Sequence, residues 1–150
     1  MKTYFTYGSN LHLKRARQRG VNIIKVERGI LHDWKLTFTV INEVHEQAGF
    51  ANVVPDEGSH VEGAILYTDP PSIKALDEYE DYPVDYLKED VPVESENGQR
   101  VMCMAYIGNE KRMRSNLKPT KSYLSHILEG KYFFSREYYE NLKNMDTIEL

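Results

Sequence analysis

The sequence predicts an α+β fold, and three observations carry that expectation. Apolar and polar residues alternate with a period of two in several separate segments, so strands dominate the middle of the chain. An Asn97-Gly98 pair sits between two such segments and marks a hairpin. Helical spacing occurs near both ends and once in the middle, without the regular strand–helix alternation of a parallel α/β sheet. Strands apolar on one face can curl into a small barrel or lie open under covering helices. The pattern accommodates both.

The chain opens with a short aromatic strand over Tyr4–Tyr7, followed by a Gly8-Ser9 loop, and Asn10 is expected to cap a helix from Leu11 to Arg19 that Gly20 stops. Lys14, Arg15, Arg17 and Arg19 crowd the second half of that helix, where cations complement the dipole. In Trp34–Ile41 the side chains of Trp34, Leu36, Phe38 and Val40 share one face. Ala51–Val54 and Val61–Tyr67 read as two further strands. Asp69-Pro70 is a helix start, with Asp69 as cap and Pro70 at the first helical position. Ile73, Leu76 and Tyr79 at helical spacing carry this helix to Tyr79 or Glu80. Tyr86–Glu94 and Arg100–Ile107 flank the Asn97-Gly98 turn, and Pro92 implies an unpaired or irregular edge on the first of them. Two helices follow. One runs from Lys121 to Leu128 and ends at Gly130; the other is capped by Ser135, with Phe134 and Tyr139 placed as a hydrophobic staple.

Composition narrows the function. The 150 residues are expected to form a single domain, residues 1–150, with 41% hydrophobic and 28% charged residues. A net charge of −4 argues against nucleic acid or an anionic membrane as the main partner. The basic run near Arg15 therefore reads as a solvated helix end. The single Cys103 provides no disulfide framework and no multi-cysteine zinc site; it sits in a strand pattern that favours a buried structural thiol. No apolar signal core opens the sequence and no apolar run is long enough to span a bilayer, so a cytoplasmic protein is expected. The five histidines lack metal-site spacing, and no metal is expected. Ser9 is not in a nucleophile elbow.

Two features point to chemistry. The Tyr7-Gly8-Ser9-Asn10 turn aims backbone N–H groups at one place and suits a carboxylate or a developing oxyanion. Glu80 stands at a helix C-terminus, where the dipole disfavours negative charge. Asp77, Glu78 and Asp81 are close in sequence, Tyr79 and Tyr82 flank it, and both influences raise a carboxyl pKa. A carboxyl tuned toward neutrality is what general acid–base catalysis uses.

Tyr4-Phe5-Thr6-Tyr7-Gly8-Ser9-Asn10-Leu11, with Leu76-Asp77-Glu78-Tyr79-Glu80, resembles the γ-glutamylcyclotransferase family and its Phe-Ala-Tyr-Gly-Ser-Asn-Leu and Leu-Asp-x-x-Glu-Gly motifs. Gly49-Phe50-Ala51 and Val61-Glu62-Gly63 are similar to the family's Gly-x-Ala and Val-x-Gly strands. Pro119-Thr120-Lys121-Ser122-Tyr123, Gly130 and Phe134–Tyr139 resemble its closing segments. The resemblance spans nearly the whole chain in order. It departs at Asp81, where the family has Gly, and at Thr6, where it has Ala.

The resemblance implies a small mixed β-barrel with peripheral helices and a cofactor-free intramolecular aminolysis. In that reaction a γ-glutamyl amide becomes 5-oxoproline and a free amine. Glu80 is then the catalytic acid–base residue. Tyr4, Tyr7, Gly8, Ser9, Asn10, Tyr86 and Tyr123 are the substrate-binding residues, and Tyr106 stands near another family tyrosine. The partner is a small γ-glutamyl molecule: a dipeptide, a γ-glutamylamine such as an isopeptide-linked lysine, or a γ-glutamyl-protected metabolite, with glutathione less favoured. A second reading stays open, a catalytically silent small-molecule or partner-binding module on the same fold. The sequence leaves oligomeric state open.

Overall fold

Five strands close into a barrel in the computed structural model, which describes residues 1–149. They are β1 (Lys2–Thr6), β2 (Lys25–Ile41), β3 (Gly49–Thr68), β4 (Tyr86–Ser95) and β5 (Arg100–Gly108), in spatial order β1-β3-β2-β4-β5. Four contacts are antiparallel; β1 and β5 meet in parallel through Tyr4 and Met104, and that contact closes the barrel. The helices α1 (Leu13–Gln18), α2 (Pro70–Tyr79), α3 (Lys121–Leu128) and α4 (Arg136–Lys143) lie outside it. The expected mixed barrel with peripheral helices is the fold observed.

Strand alternation sorts β1 between two packing layers. Phe5 and Tyr7 pack with Leu31, Val53, Ile65, Val93 and Cys103, residues from all the other strands, and so fill the barrel. Tyr4 faces the other way, into a layer that includes Ala16 of α1, Leu76 of α2, and Leu124 and Ile127 of α3. Fully burying side chains such as Phe5 or Leu76 contributes roughly 1.5–3 kcal/mol each. Two glycines permit the tight crossings: a Cβ at Gly63 would lie 2.2 Å from the Thr6 carbonyl oxygen, and one at Gly49 would lie 2.0 Å from that of Phe38. The Gly63 crossing places the end of β1 against β3, and the Gly49 crossing brings β3 close to β2.

Several elements differ from the sequence expectation. The two strands expected at Ala51–Val54 and Val61–Tyr67 are one continuous β3, and β2 begins at Lys25 rather than Trp34. The polar stretch Asp56–Ser59 resembles a loop, and within β3 it forms a bulge without rungs to β2, Gly58 having φ 86°, opposite Asp33 of β2 (φ 68°). The Asp33 carboxylate accepts a bond from the Gly58 N–H at 3.0 Å and holds the two long strands together there. The β4–β5 hairpin turns through Glu96–Gln99, with Gly98 in the left-handed region, rather than through a two-residue loop. Asn97 Oδ1 accounts for this, since it accepts from Ser95 Oγ (2.5 Å) and Gln99 N (3.2 Å) and wraps the wider turn. Pro92 lies outside the two-rung pairing of β4 with β2, as its missing N–H requires.

The helix caps are largely as expected. Asp69 accepts from Ser72 N, Thr120 from Tyr123 N, and Ser135 from Tyr138 N. Phe134 has its ring 5.1 Å from Tyr138, one residue earlier than the expected staple partner Tyr139. The first helix is shorter than expected. A 3-10 turn spans Ser9–Leu11, and α1 starts at Leu13 after His12, so Asn10 does not cap it. The Asn10 side chain is committed to the site instead. No helix among the described residues is long and apolar enough to cross a membrane.

Candidate active site

Glu80 is positioned by the way α2 ends. The Tyr82 N–H donates to the Asp77 carbonyl (2.9 Å) and the Asp81 N–H to that of Glu78 (3.3 Å), the paired bonds of a Schellman terminus. Such a terminus needs a left-handed residue just past the cap, and Asp81 fills that place with φ 53°. Its short polar side chain tolerates the conformation better than most. Glu80, one residue earlier, is the cap itself, and its carboxyl meets the side chain of Asn10 from the β1 loop at 3.4 Å.

The two segments meet at a cavity of about 190 Å³, smaller than the roughly 300–1,000 Å³ typical of drug-sized pockets. Tyr4, Tyr7, Gly8, Ser9, Asn10, Glu80, Tyr86 and Tyr123 all line it. Tyrosines distant from Glu80 in sequence form part of its wall, and the hydroxyls of Tyr4, Tyr7, Tyr86 and Tyr123 are held. Tyr7 donates to the Tyr106 carbonyl (2.5 Å) and Tyr86 to that of Ala51 (2.6 Å). Tyr123 accepts from the Ala51 N–H (3.1 Å), and Tyr4 accepts from Asn10 Nδ2 (3.1 Å). The Tyr123 hydroxyl proton has no protein acceptor among the described residues. Burial raises the pKa of each of these four phenols, so they remain neutral.

The Glu80 carboxyl is pushed up to about 7, chiefly by burial, with Asp85 adding to the rise and Arg19 opposing it. The sequence located this perturbation, but its causes differ from those expected. The acidic neighbours Asp77, Glu78 and Asp81 are not responsible: Asp77 is tied to Lys88 Nζ (2.9 Å) and to the Tyr106 hydroxyl (2.7 Å), while Glu78 and Asp81 are exposed. Tyr82 is 39% exposed and does not line the cavity, while Tyr79 lines it but is 48% exposed. The desolvating wall comes from tyrosines far away in sequence.

Arg15 and Arg19 are the principal residues the sequence reading missed. Both line the cavity, whereas Lys14 and Arg17 are exposed. Arg19 donates to Asn10 Oδ1 (2.6 Å) and Ser9 Oγ (3.2 Å), bonds the Tyr79 hydroxyl, and lies 3.4 Å from the Tyr79 ring centre. Their i, i+4 spacing was the available signal, because it places both guanidinium groups on one helix face. Phe50, Ala51, Asp85 and Tyr106 also line the cavity. Among these, Tyr106 and the Gly49-Phe50-Ala51 strand carried a sequence signal.

The backbone cradle differs from the expected one. Leu11 and His12 spend their N–H groups on the Gly8 and Ser9 carbonyls, and α1 begins too late to aim its dipole from Asn10. The N–H groups of Gly8, Ser9 and Asn10 have no protein acceptor among the described residues and remain available at the cavity edge. Chemically, the site offers a carboxyl that titrates near neutrality, several N–H donors beside it, and fixed phenols around it. No cluster of three His, Cys, Asp or Glu side chains suited to a metal occurs among the described residues.

A family model described as "Gamma-glutamyl cyclotransferase, AIG2-like" matches residues 4–133. The chain belongs to this γ-glutamyl cyclotransferase family. A solved γ-glutamyl cyclotransferase superposes with a TM-score of 0.83 at 26% identity, over 98% of this chain and 89% of its own. An uncharacterized protein from Homo sapiens gives 0.84 at 26% identity over the same shares. A yeast γ-glutamyl cyclotransferase specific to glutathione gives 0.67 at 12% identity, over 94% of this chain and 93% of its own, a likeness of fold alone. No curated protein matches the chain. Within the family frame, the positions suggested by the β1 loop and the α2 terminus are the ones that converge on the cavity.

Proposed function

We propose that this cyclotransferase-family protein converts a γ-glutamyl amide to 5-oxoproline and a free amine, with Glu80 as the acid–base group. The observation that carries the reading is the Glu80 carboxyl, raised to about 7 and set 3.4 Å from Asn10 in a cavity edged by unused loop N–H groups.

The substrate supplies its own nucleophile. Folding the γ-glutamyl chain brings its α-amine to its γ-carbonyl, and this positioning can contribute about 7–11 kcal/mol. Glu80, close to half ionised at neutral pH, takes a proton from the α-ammonium. The freed amine attacks the γ-carbonyl carbon and closes a five-membered ring. Negative charge then forms on the former carbonyl oxygen, where the N–H groups of Gly8–Asn10 and the Tyr123 hydroxyl are suitable donors. As the exocyclic C–N bond to the leaving group breaks, Glu80 returns its proton to the departing amine, and the ring nitrogen gives up its remaining extra proton to the released amine, which leaves as an ammonium. The carboxyl ends as it began, and no redox or nucleotide chemistry enters the balance.

The test is 5-oxoproline release from a panel of γ-glutamyl amino acids and γ-glutamylamines, with Glu80→Gln run in parallel. Release by the natural chain and a large loss in the variant is the expected result. Ligand binding without release from any panel member, in natural chain and variant alike, would favour the silent binding module. The neutrality-tuned carboxyl favours the enzyme, since a binder has no use for a group poised between protonation states.

A further inference from the structure

Beside the Glu80 cavity stands a cationic cluster that forms no ion pair among the described residues. Instead Arg15 and Arg19 both bond the Tyr79 hydroxyl, Arg15 Nη2 at 3.4 Å. Arg15 Nη1 lies 3.2 Å from His126 Nε2, and His126 Nδ1 lies 3.2 Å from His12 Nδ1, so two imidazoles extend the cluster. Arg15 Nε is buried without a partner. Burial first, and then the neighbouring positive charges, lower the pKa values of Arg19 and His126, with Tyr79 and Glu80 opposing the shift at Arg19. A buried guanidinium N–H without an acceptor is costly to leave unmade. The arrangement is built for an anion.

Building on the proposed reaction, we infer that Arg15 and Arg19 form a two-place carboxylate site and select substrates whose leaving amine itself bears a carboxylate. Charge accounting supports the assignment. A bound γ-glutamyl amino acid carries an ammonium and two carboxylates. The ammonium belongs with Glu80. The α-carboxylate adjoins that ammonium, and Arg19 is the arginine close enough to lower the Glu80 pKa. Arg15 does not contribute to that shift; it lies one helical turn away, an offset of about 5–6 Å, and faces His126 and His12. This offset suits the second carboxylate, which lies beyond the scissile amide. Each guanidinium has five N–H donors, so the bonds to Tyr79, Ser9, Asn10 and His126 leave donors for a ligand.

The experiment compares γ-glutamyl-alanine with γ-glutamyl-ethylamide, which differ only in the leaving-group carboxylate. The natural chain should favour γ-glutamyl-alanine in kcat/KM by tenfold or more. Arg15→Gln should bring the ratio toward one, and Arg15→Lys should keep part of it. A merely structural role for Arg15 would change both substrates together and leave the ratio intact. A ratio near one in the natural chain, or an unchanged ratio in Arg15→Gln, overturns the inference. If neither compound releases 5-oxoproline, the reaction proposed above fails. Calorimetric binding of the same pair then decides the anion site separately: tighter binding of γ-glutamyl-alanine upholds it, and equal or absent binding overturns it.

Discussion

Glu62 and Glu80 are two glutamates drawn away from bulk water, and their surroundings are opposite. Glu62, on β3, is 7% exposed and richly supplied with donors. It accepts from Ser135 N (2.6 Å) and Ser135 Oγ (2.9 Å) at the start of α4 and pairs with His60 Nε2 (2.8 Å). A helix N-terminus attracts a carboxylate. Glu80 sits at the opposite kind of helix end, with one long contact from Asn10. The first arrangement fastens α4 to the barrel; the second keeps a carboxyl undecided between its two protonation states. Withdrawal from water does not by itself make an acid–base group. What matters is the donors that accompany it.

The largest effect should come from removing the charge at Glu80. Glu80→Gln should lower 5-oxoproline release by about 10²–10⁴-fold, while the folded protein becomes more stable at alkaline pH. The folded-state pKa of about 7 lies above the ordinary carboxyl value of 4.5. Ionisation therefore begins to cost the folded state near pH 4.5, and the full cost is present above pH 7. Part of that cost is screened by the cavity's opening to solvent, leaving roughly 1–3 kcal/mol. Urea unfolding at pH 8 should show the variant ahead by that margin, and at pH 4 the two should coincide. Equal stability at pH 8 would mean that the Glu80 carboxylate is better solvated than its setting implies.

Glu62→Ala should produce the reverse pattern. Losing bonds to a charged acceptor and stranding the Ser135 N–H should cost about 2–3 kcal/mol of stability, readable as a lowered urea midpoint. The kcat/KM of the folded fraction should stay within about twofold. A collapse of activity at retained stability would erase the contrast between the two glutamates.

The pH profile gives a finer measure. kcat/KM should rise with pH through an apparent pKa near 7, because the proposed base must be ionised to take the ammonium proton. Arg19 opposes the upward shift of Glu80, so Arg19→Gln should move the midpoint higher. A midpoint that stays in place or falls would remove Arg19 from the electrostatics of the carboxyl.

Local chemistry made much of this legible. Asp69-Pro70 and Ser135 announced helix starts and Asn97-Gly98 announced a hairpin, while the barrel was implied only by the resemblance of the ordered motifs to a known family. These signals depend on neighbours in the chain. What stayed hidden depends on residues that meet only after folding. β3 continues across the Asp56–Ser59 bulge because its pairing with β2 resumes at His60 and the Asp33 side chain holds the Gly58 N–H. The elevated carboxyl at Glu80 was foreseen from adjacent acids, yet it comes from tyrosines on other elements and from Asp85. Arg15 and Arg19 looked like solvated charge because sequence proximity grouped them with Lys14 and Arg17. The helix separates the two pairs by face.

The smallest effect belongs to Asp81, which follows Glu80 where the family pattern has glycine. Asp81 is exposed, holds φ 53°, and does not contribute to the Glu80 shift. Asp81→Gly would relieve the left-handed strain of a Cβ, but it would also enlarge the conformational freedom of the unfolded chain. These terms oppose each other, so stability should rise by only about 0.5 kcal/mol. The backbone bonds that form the turn survive the change: Asp81 N to the Glu78 carbonyl, and Val84 N and Asp85 N to the Asp81 carbonyl. The midpoint of the pH profile should therefore stay fixed, whereas Asp85→Asn should lower it, because Asp85 is the acid that raises the Glu80 pKa. A midpoint that moved with Asp81 rather than Asp85 would return the tuning of Glu80 to its chain neighbours and undo the contrast drawn from Glu62.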